Sequence, residues 1–253
     1  MTNTPIALIT GGSRGLGKSM AEHLATHGVD VIVTYHSAEA EAAQVVRTIE
    51  GKGRKAVALR LDVRATDGFG AFVTRVSAAL EKTWQRTQLN FVVNNAGTAV
   101  HASFAETTEA QFDEMVNVHL KSTFFLTQKL LPLVADGGRV LNMSTGLARF
   151  TKPGYAAYAT MKGGVETLTR YMALELAARK ITVNVIAPGA IATDFAGGLV
   201  RDNPAVNTLV ASTVALGRVG EADDIGAAVA ALLSPELAFM TAQRIEVSGG
   251  TSL

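Results

Sequence analysis

No cysteine occurs anywhere in the chain. That absence excludes disulfides, thiolate metal sites and cysteine nucleophiles together. Histidine is sparse: of five, only His23 and His27 stand at a ligand-like i, i+4 spacing. Without an adjacent glutamate they read as an exposed helix face, so no metal is assigned. Long apolar runs are missing too, with nothing approaching the roughly 20 residues that span a bilayer. The opening MTNTPIALIT lacks the basic segment, apolar stretch and cleavage site of a secretory leader. The expectation is a cytoplasmic protein with no membrane partner. A net charge of +1 supplies no field to attract nucleic acid, and the densest basic stretch, KGRK from Lys52 to Lys55, reads as a solvated turn. Proline- or serine-rich linkers, low-complexity tracts and fixed-period repeats are also absent, so residues 1–253 count as one domain.

What the chain does contain is a rhythm. Short β-branched runs recur at Ile6–Ile9, Val29–Tyr35, Ala56–Leu61, Leu89–Val93, Arg139–Met143, Ile181–Ala187 and Arg244–Val247. They are apolar throughout rather than alternating, which suits strands buried on both faces of a parallel sheet. Helical patterns lie between them at about Gly15–Thr26, Ala38–Glu50, Thr66–Lys82, Glu109–Val134, Ala156–Arg179 and Glu221–Leu233. This alternation predicts an α/β Rossmann fold, a doubly wound and mostly parallel sheet of seven strands with helices on both faces. Residues 189–217 interrupt the rhythm with Gly197, Gly198 and Pro204 among scattered apolar residues. A substrate lid and a surface excursion packed on the body are both open readings of that insertion.

TGGSRGLG, Thr10 to Gly17, follows the first strand directly and precedes a helix. Glycines there allow a tight turn and close backbone approach to a pyrophosphate, and the helix N-terminus offers free N–H groups; a tight turn without a ligand is the bland alternative. The second strand ends Thr34-Tyr35-His36-Ser37, without the acid that usually holds the ribose 2′-hydroxyl of NAD. Arg14 within the turn can reach a 2′-phosphate, unless it only points into water. The pair of features favours NADP(H).

Three separated motifs, TGGSRGLG at 10–17, NNAG at 94–97 and YATMK at 158–162, resemble in order and spacing the short-chain dehydrogenase/reductase family of NAD(P)-dependent oxidoreductases. The resemblance extends over essentially the whole chain, through Asp62-Val63, Pro188-Gly189 and Gly249-Gly250. It implies a hydride-transferring carbonyl reductase or alcohol dehydrogenase acting on a small molecule. The overall pattern is also similar to a 3-oxoacyl-carrier-protein reductase, and an idle dinucleotide sensor is the alternative outside enzymes. It further implies a dimer or tetramer, for which Gly163-Gly164 would permit close helix approach. Cofactor contacts implied by the family are Gly11, Ser13, Arg14, Gly15, Leu16 and Gly17 in the turn and Tyr35, His36 and Ser37 after the second strand. Asp62 and Val63 are implied at the adenine, Asn94, Ala96 and Gly97 beside the ribose, and Pro188, Gly189, Ile191 and Thr193 near the carboxamide.

The chemistry falls on the third motif. On a helix Tyr158 and Lys162 share a face at i and i+4, and a lysine ammonium there, together with the positive charge of an oxidised nicotinamide, would favour phenolate and lower the tyrosine pKa. Tyr158 is the expected general acid/base, and Lys162 also the expected ribose ligand by resemblance. Tyr155 has Ala159 at i+4 and no cation, so it is set aside. The family's serine lies thirteen positions before its tyrosine, which lands on Thr145, with Ser144 immediately before it. Adjacent residues at a strand end face opposite ways, so one of the two carries the hydroxyl; Thr145 is favoured by the count and Ser144 stays open. Asn117, in QFDEMVNVHLKSTFFL, matches the family's water-holding asparagine, with a solvent-facing side chain as the alternative.

Overall fold

The computed structural model describes residues 4–253. Seven strands, β1 (Ile6–Ile9), β2 (Asp30–Tyr35), β3 (Ala56–Arg60), β4 (Leu89–Asn94), β5 (Val134–Met143), β6 (Thr182–Pro188) and β7 (Arg244–Val247), form one sheet in the order β3-β2-β1-β4-β5-β6-β7. Every pairing is parallel. Nine α-helices lie among the described residues: α1 (Gly15–Thr26), α2 (Glu39–Gly51), α3 (Phe69–Trp84), α4 (Glu109–Met115), α5 (Ser122–Leu130), α6 (Ala156–Glu175), α7 (Leu199–Asp202), α8 (Pro204–Ala211) and α9 (Ala222–Leu232). None is long and apolar enough to cross a membrane.

Alternation along each strand explains the two cores. Ala7 and Ile9 of β1 point to one face, where Met20 and Leu24 of α1, Val45 and Ile49 of α2, and Ile225 and Val229 of α9 cover them. Ile6 and Leu8 point to the other face, against Phe69, Phe72, Val76 and Leu80 of α3 and Leu126 and Leu130 of α5. Strands wrapped on both sides must be apolar at every position, which is why the runs do not alternate. Between β1 and β4 the chain order reverses, and the crevice at the carboxyl ends of those strands is where ligands bind in such sheets.

Three departures from the sequence reading matter for the site. The helix expected over 109–134 is not continuous: α4 and α5 are joined by a π-helical stretch, Val116–Lys121, in which Ser122 N–H bonds the Asn117 carbonyl five residues back. Helical patterning is the same through such a widened turn, so periodicity does not expose it; π turns concentrate at functional sites. Beyond α5, Pro132 closes a short 3₁₀ turn and β5 begins at Val134, five residues before the expected start. Gly164, expected to serve close approach at a subunit interface, instead meets Leu120 of its own chain, 3.2 Å from where a Cβ would stand, and Gly163 faces open space.

Candidate active site

Thr10 ends β1 and organises the turn after it. Its hydroxyl accepts hydrogen bonds from the backbone N–H groups of Asn95 and Ala96, both at 2.9 Å. Gly11 N–H donates to Thr34 Oγ1 at 3.1 Å and Gly12 N–H to the Thr34 carbonyl at 2.8 Å, so the ends of β1, β2 and β4 are tied together. Gly11 takes a left-handed φ of +65°. Gly17 admits no side chain, because a Cβ would lie 2.2 Å from the Gly11 carbonyl oxygen. No side chain caps α1 and its first turn holds no acid, leaving its N-terminal amides to a ligand. A cradle of bare backbone ending on an uncapped helix fits a pyrophosphate.

Around the turn the anticipated residues separate. Ser13 is buried and Leu16 packs on the core behind it. Arg14 pairs through Nε with Asp194 at 3.6 Å. After β2, burial and nearby Glu39 raise the pKa of Tyr35, His36 lies 3.3 Å from Asp62, and Ser37 is exposed. Val63 packs against the core. Asn94 turns inward: its Nδ2 donates to Thr127 Oγ1 at 2.9 Å and Asn142 Oδ1 at 2.8 Å. The side chain that reaches the glycine turn from NNAG is that of Asn95, whose Nδ2 donates to the Thr10 and Gly11 carbonyls. Ala96 backs Gly11, and Gly97 makes room for His119. Pro188 closes β6, Gly189 abuts Ser248, Ile191 bridges to Gly220, and Thr193 lies against Gly15.

Tyr158 and Lys162 occupy the inward face of α6, both buried. The Lys162 Nζ sits 5.7 Å from the centre of the Tyr158 ring and donates to the Met143 carbonyl at 2.7 Å. No other protein acceptor takes it among the described residues, so two of its three N–H groups are left for a ligand. Burial pushes Tyr158 above the ordinary tyrosine range, against a smaller opposing effect of the hydrogen bond with Thr145. Burial likewise brings Lys162 down to about 7. Desolvation sets both directions, because each charged form would be buried away from solvent.

The two hydroxyls point apart. Ser144 donates to Glu166 Oε1 at 2.6 Å, and Arg244 Nε holds the same oxygen at 2.7 Å. Thr145, buried at the end of β5, is the hydroxyl on the Tyr158 side. Asn117 is half-buried in the π-helical stretch. The same stretch also places His119, which the sequence reading passed over. Its Nε2 donates to the Thr98 carbonyl at 2.7 Å, its Nδ1 is buried without a partner, and its ring meets Tyr158 edge-on at 5.1 Å. Burial and nearby Lys162 hold its pKa well below the usual histidine value.

Residues 189–217 fold back over this ground. Phe195 lies 5.9 Å from the Tyr158 ring, and Asp194 is shared by Arg14 and Arg201. A cleft of about 310 Å³ opens beside the N-terminus of α6, lined by Phe104, Leu147, Lys152, Pro153, Tyr155 and Ala159. Tyr155, set aside as a catalyst, forms one wall of it and stacks edge-on with His101 at 5.1 Å. The whole arrangement can donate a proton from a neutral phenol, polarise an oxygen with a second hydroxyl and seat a dinucleotide alongside.

Known proteins resemble the chain over nearly its whole length. The profile described as enoyl-(acyl carrier protein) reductase matches residues 11–252. Hydroxynaphthalene reductase-like protein Arp2 of Metarhizium majus is 35% identical, over 97% of this chain and 94% of the relative. The 3-oxoacyl-[acyl-carrier-protein] reductase FabG of Staphylococcus aureus is 34% identical over 99% of both. Among solved structures, the angucycline C-6 ketoreductase LanV with bound NADP superposes with a TM-score of 0.93 at 33% identity, covering 99% of this chain and 97% of that one. The promiscuous reductase LugOII, which catalyses keto-reduction at C1 in lugdunomycin biosynthesis, gives 0.93 at 36% identity over 98% and 97%.

Proposed function

The chain belongs to the short-chain dehydrogenase/reductase family, and on that premise we propose that it is an NADP(H)-dependent carbonyl reductase in which Tyr158 gives the proton. The observation that carries the residue roles is the convergence of buried Tyr158, Lys162 and Thr145 beside an uncapped, side-chain-free glycine turn. The nicotinamide supplies hydride to the carbonyl carbon when bound. Tyr158, held neutral by burial, is poised to donate to the carbonyl oxygen, and the reverse transfer makes it the base in alcohol oxidation. Thr145 polarises the same oxygen by hydrogen bond. Lys162, with two donors free of protein partners, orients the ribose and returns the proton to Tyr158, with half-buried Asn117 as the expected water-holder behind it.

Residues 189–217 act as a lid: Phe195 covers Tyr158 from one side and excludes water. The aromatic surroundings, with Tyr155 and Phe104 in the adjoining cleft and Phe195 overhead, support a flat aromatic ketone as substrate. A 3-oxoacyl thioester on an acyl carrier protein is the second reading, favoured by the extent of the match to the Staphylococcus aureus reductase. The protein is expected to work in the cytoplasm as a dimer or tetramer. Exposed Phe124 and Phe125 on α5, and Tyr171 and Leu174 on α6, support burial against another copy.

The test is consumption of NADPH, with NADH in parallel, against bicyclic aromatic ketones and acetoacetyl thioesters. Tyr158→Phe is expected to retain cofactor binding and to lose turnover by about 10²- to 10⁴-fold. Undiminished turnover in that variant would refute the role given to the phenol.

A further inference from the structure

Thr145 stands where β5 has ended and a 3₁₀ turn, Gly146–Ala148, begins. Its hydroxyl oxygen accepts the Leu147 N–H at 3.3 Å, so the hydroxyl proton is left to donate toward Tyr158 and a bound carbonyl. That direction holds only while the Thr145 peptide keeps its orientation. The Thr145 carbonyl takes the Ala148 N–H from within the turn and Arg244 Nη2 from β7, each at 3.2 Å. The first bond is local. The second reaches past β6, since β7 is the second strand away from β5 in the sheet.

Arg244 is itself fixed. Its Nε donates to Glu166 Oε1 at 2.7 Å and its Nη1 to Glu246 Oε2 at 2.8 Å, so each of its nitrogens has a different acceptor. Glu166, on α6, also takes the Ser144 hydroxyl and draws it away from the site. Glu246 is clamped in turn by Nε and Nη2 of Arg149, at 2.9 and 2.8 Å, directly behind the 3₁₀ turn. Cations and anions thus alternate along Arg149–Glu246–Arg244–Glu166 without net charge. The side chains of Arg244, Glu246 and Glu166 are only 23%, 19% and 16% exposed, so water competes for them far less than at a surface ion pair. The network starts and ends on the segment it encloses, with Ser144 before Thr145 and Arg149 after it. An apolar contact of the same size could hold this region together equally well; forked, charge-assisted bonds add a fixed direction.

Resting on the role given to Thr145, we propose that Arg244 is a positioning residue for the reduction: it pins the Thr145 carbonyl so that the hydroxyl faces Tyr158 and the substrate oxygen. Arg244 acts only through Thr145. Its loss should therefore lower kcat, spare nucleotide binding, and cost nothing further once the Thr145 hydroxyl is gone.

The experiment is steady-state reduction of α-tetralone and of acetoacetyl-CoA by NADPH with the full chain, alongside NADPH titration and thermal unfolding. Removing Arg244 alone would leave Glu166 without its cation, so the variant is Arg244→Met/Glu166→Gln, made in wild type and again in Thr145→Ala. In the wild-type background kcat should fall on the order of 10- to 100-fold, with KM and NADPH affinity within about threefold. In the Thr145→Ala background the same changes should move kcat by less than about twofold. Arg244→Lys keeps a cation beside both glutamates but cannot reach three acceptors, so it should lose about 10-fold in kcat at a nearly unchanged unfolding temperature. That variant keeps the test decisive if the double variant does not fold. Equal losses in both backgrounds, or an undiminished kcat in Arg244→Lys, would overturn the positioning role. Undiminished kcat in Thr145→Ala, or a wild type idle on both substrates, would instead overturn the proposed function, and the positioning role with it.

Discussion

Replacing Lys162 by methionine should destroy activity and yet stabilise the protein in the absence of cofactor. Burial displaces the lysine pKa from 10.5 to about 7, which at about 1.4 kcal/mol per pH unit corresponds to roughly 5 kcal/mol of penalty for keeping the ammonium folded. Against this stands the hydrogen bond to the Met143 carbonyl, worth about 1.5–3 kcal/mol for a charged donor. Methionine fits the same stem without a charge, so the net gain is about 2–3.5 kcal/mol, or roughly 4–14 °C for a chain of this length. The sign depends on pH. The folded state binds the lysine proton less tightly than the unfolded state, so the penalty is complete below pH 7 and disappears as pH rises from about 7 toward 10.5. The advantage of Lys162→Met should therefore be largest near pH 6 and vanish around pH 8–9. Thermal unfolding of both proteins at pH 6, 7, 8 and 9, without nucleotide, measures it. A variant less stable at pH 6, or a difference that does not move with pH, would refute the claim that burial dominates at this lysine.

The same physics applies to His119, whose pKa is depressed by burial and by Lys162. Its unfolded form takes up a proton below about pH 6.5 that the folded form refuses, so urea-unfolding stability should fall from pH 6.5 to 5 in wild type, and less steeply in His119→Leu. At the strand end, Thr145→Ala should lower kcat by about 10²- to 10³-fold, Thr145→Ser should keep most of it, and Ser144→Ala, which releases Glu166 rather than the substrate, should cost far less in steady-state assays. Gly17→Ala would drive a Cβ to 2.2 Å from the Gly11 carbonyl; an expected loss of about 1–3 kcal/mol in the urea midpoint, together with loss of NADPH binding by titration, checks the cradle.

The strands were legible because their cause is local: a strand covered on both faces has to be apolar at each position, as in Ile6–Ile9 and Val31–Val33. The glycine turn was legible for a similar reason, since a close backbone approach leaves no chemical choice at Gly17. What could not be read is what depends on direction rather than identity. Ser144 and Thr145 have interchangeable hydroxyls in sequence, and only the position of Glu166 and Arg244 behind β5 separates them. Asn94 and Asn95 are the same residue twice, with one committed to the core through Asn142 and the other to the Thr10 carbonyl. The burial of the reacting groups was not legible on the same ground. The i, i+4 spacing of Tyr158 and Lys162 states their proximity, but Phe195 and the α4–α5 junction with its His119, which pack against Tyr158, are not near them in sequence. Sequence spacing therefore located the reacting groups, while the burial that shifts their protonation comes in part from residues brought in from two other segments.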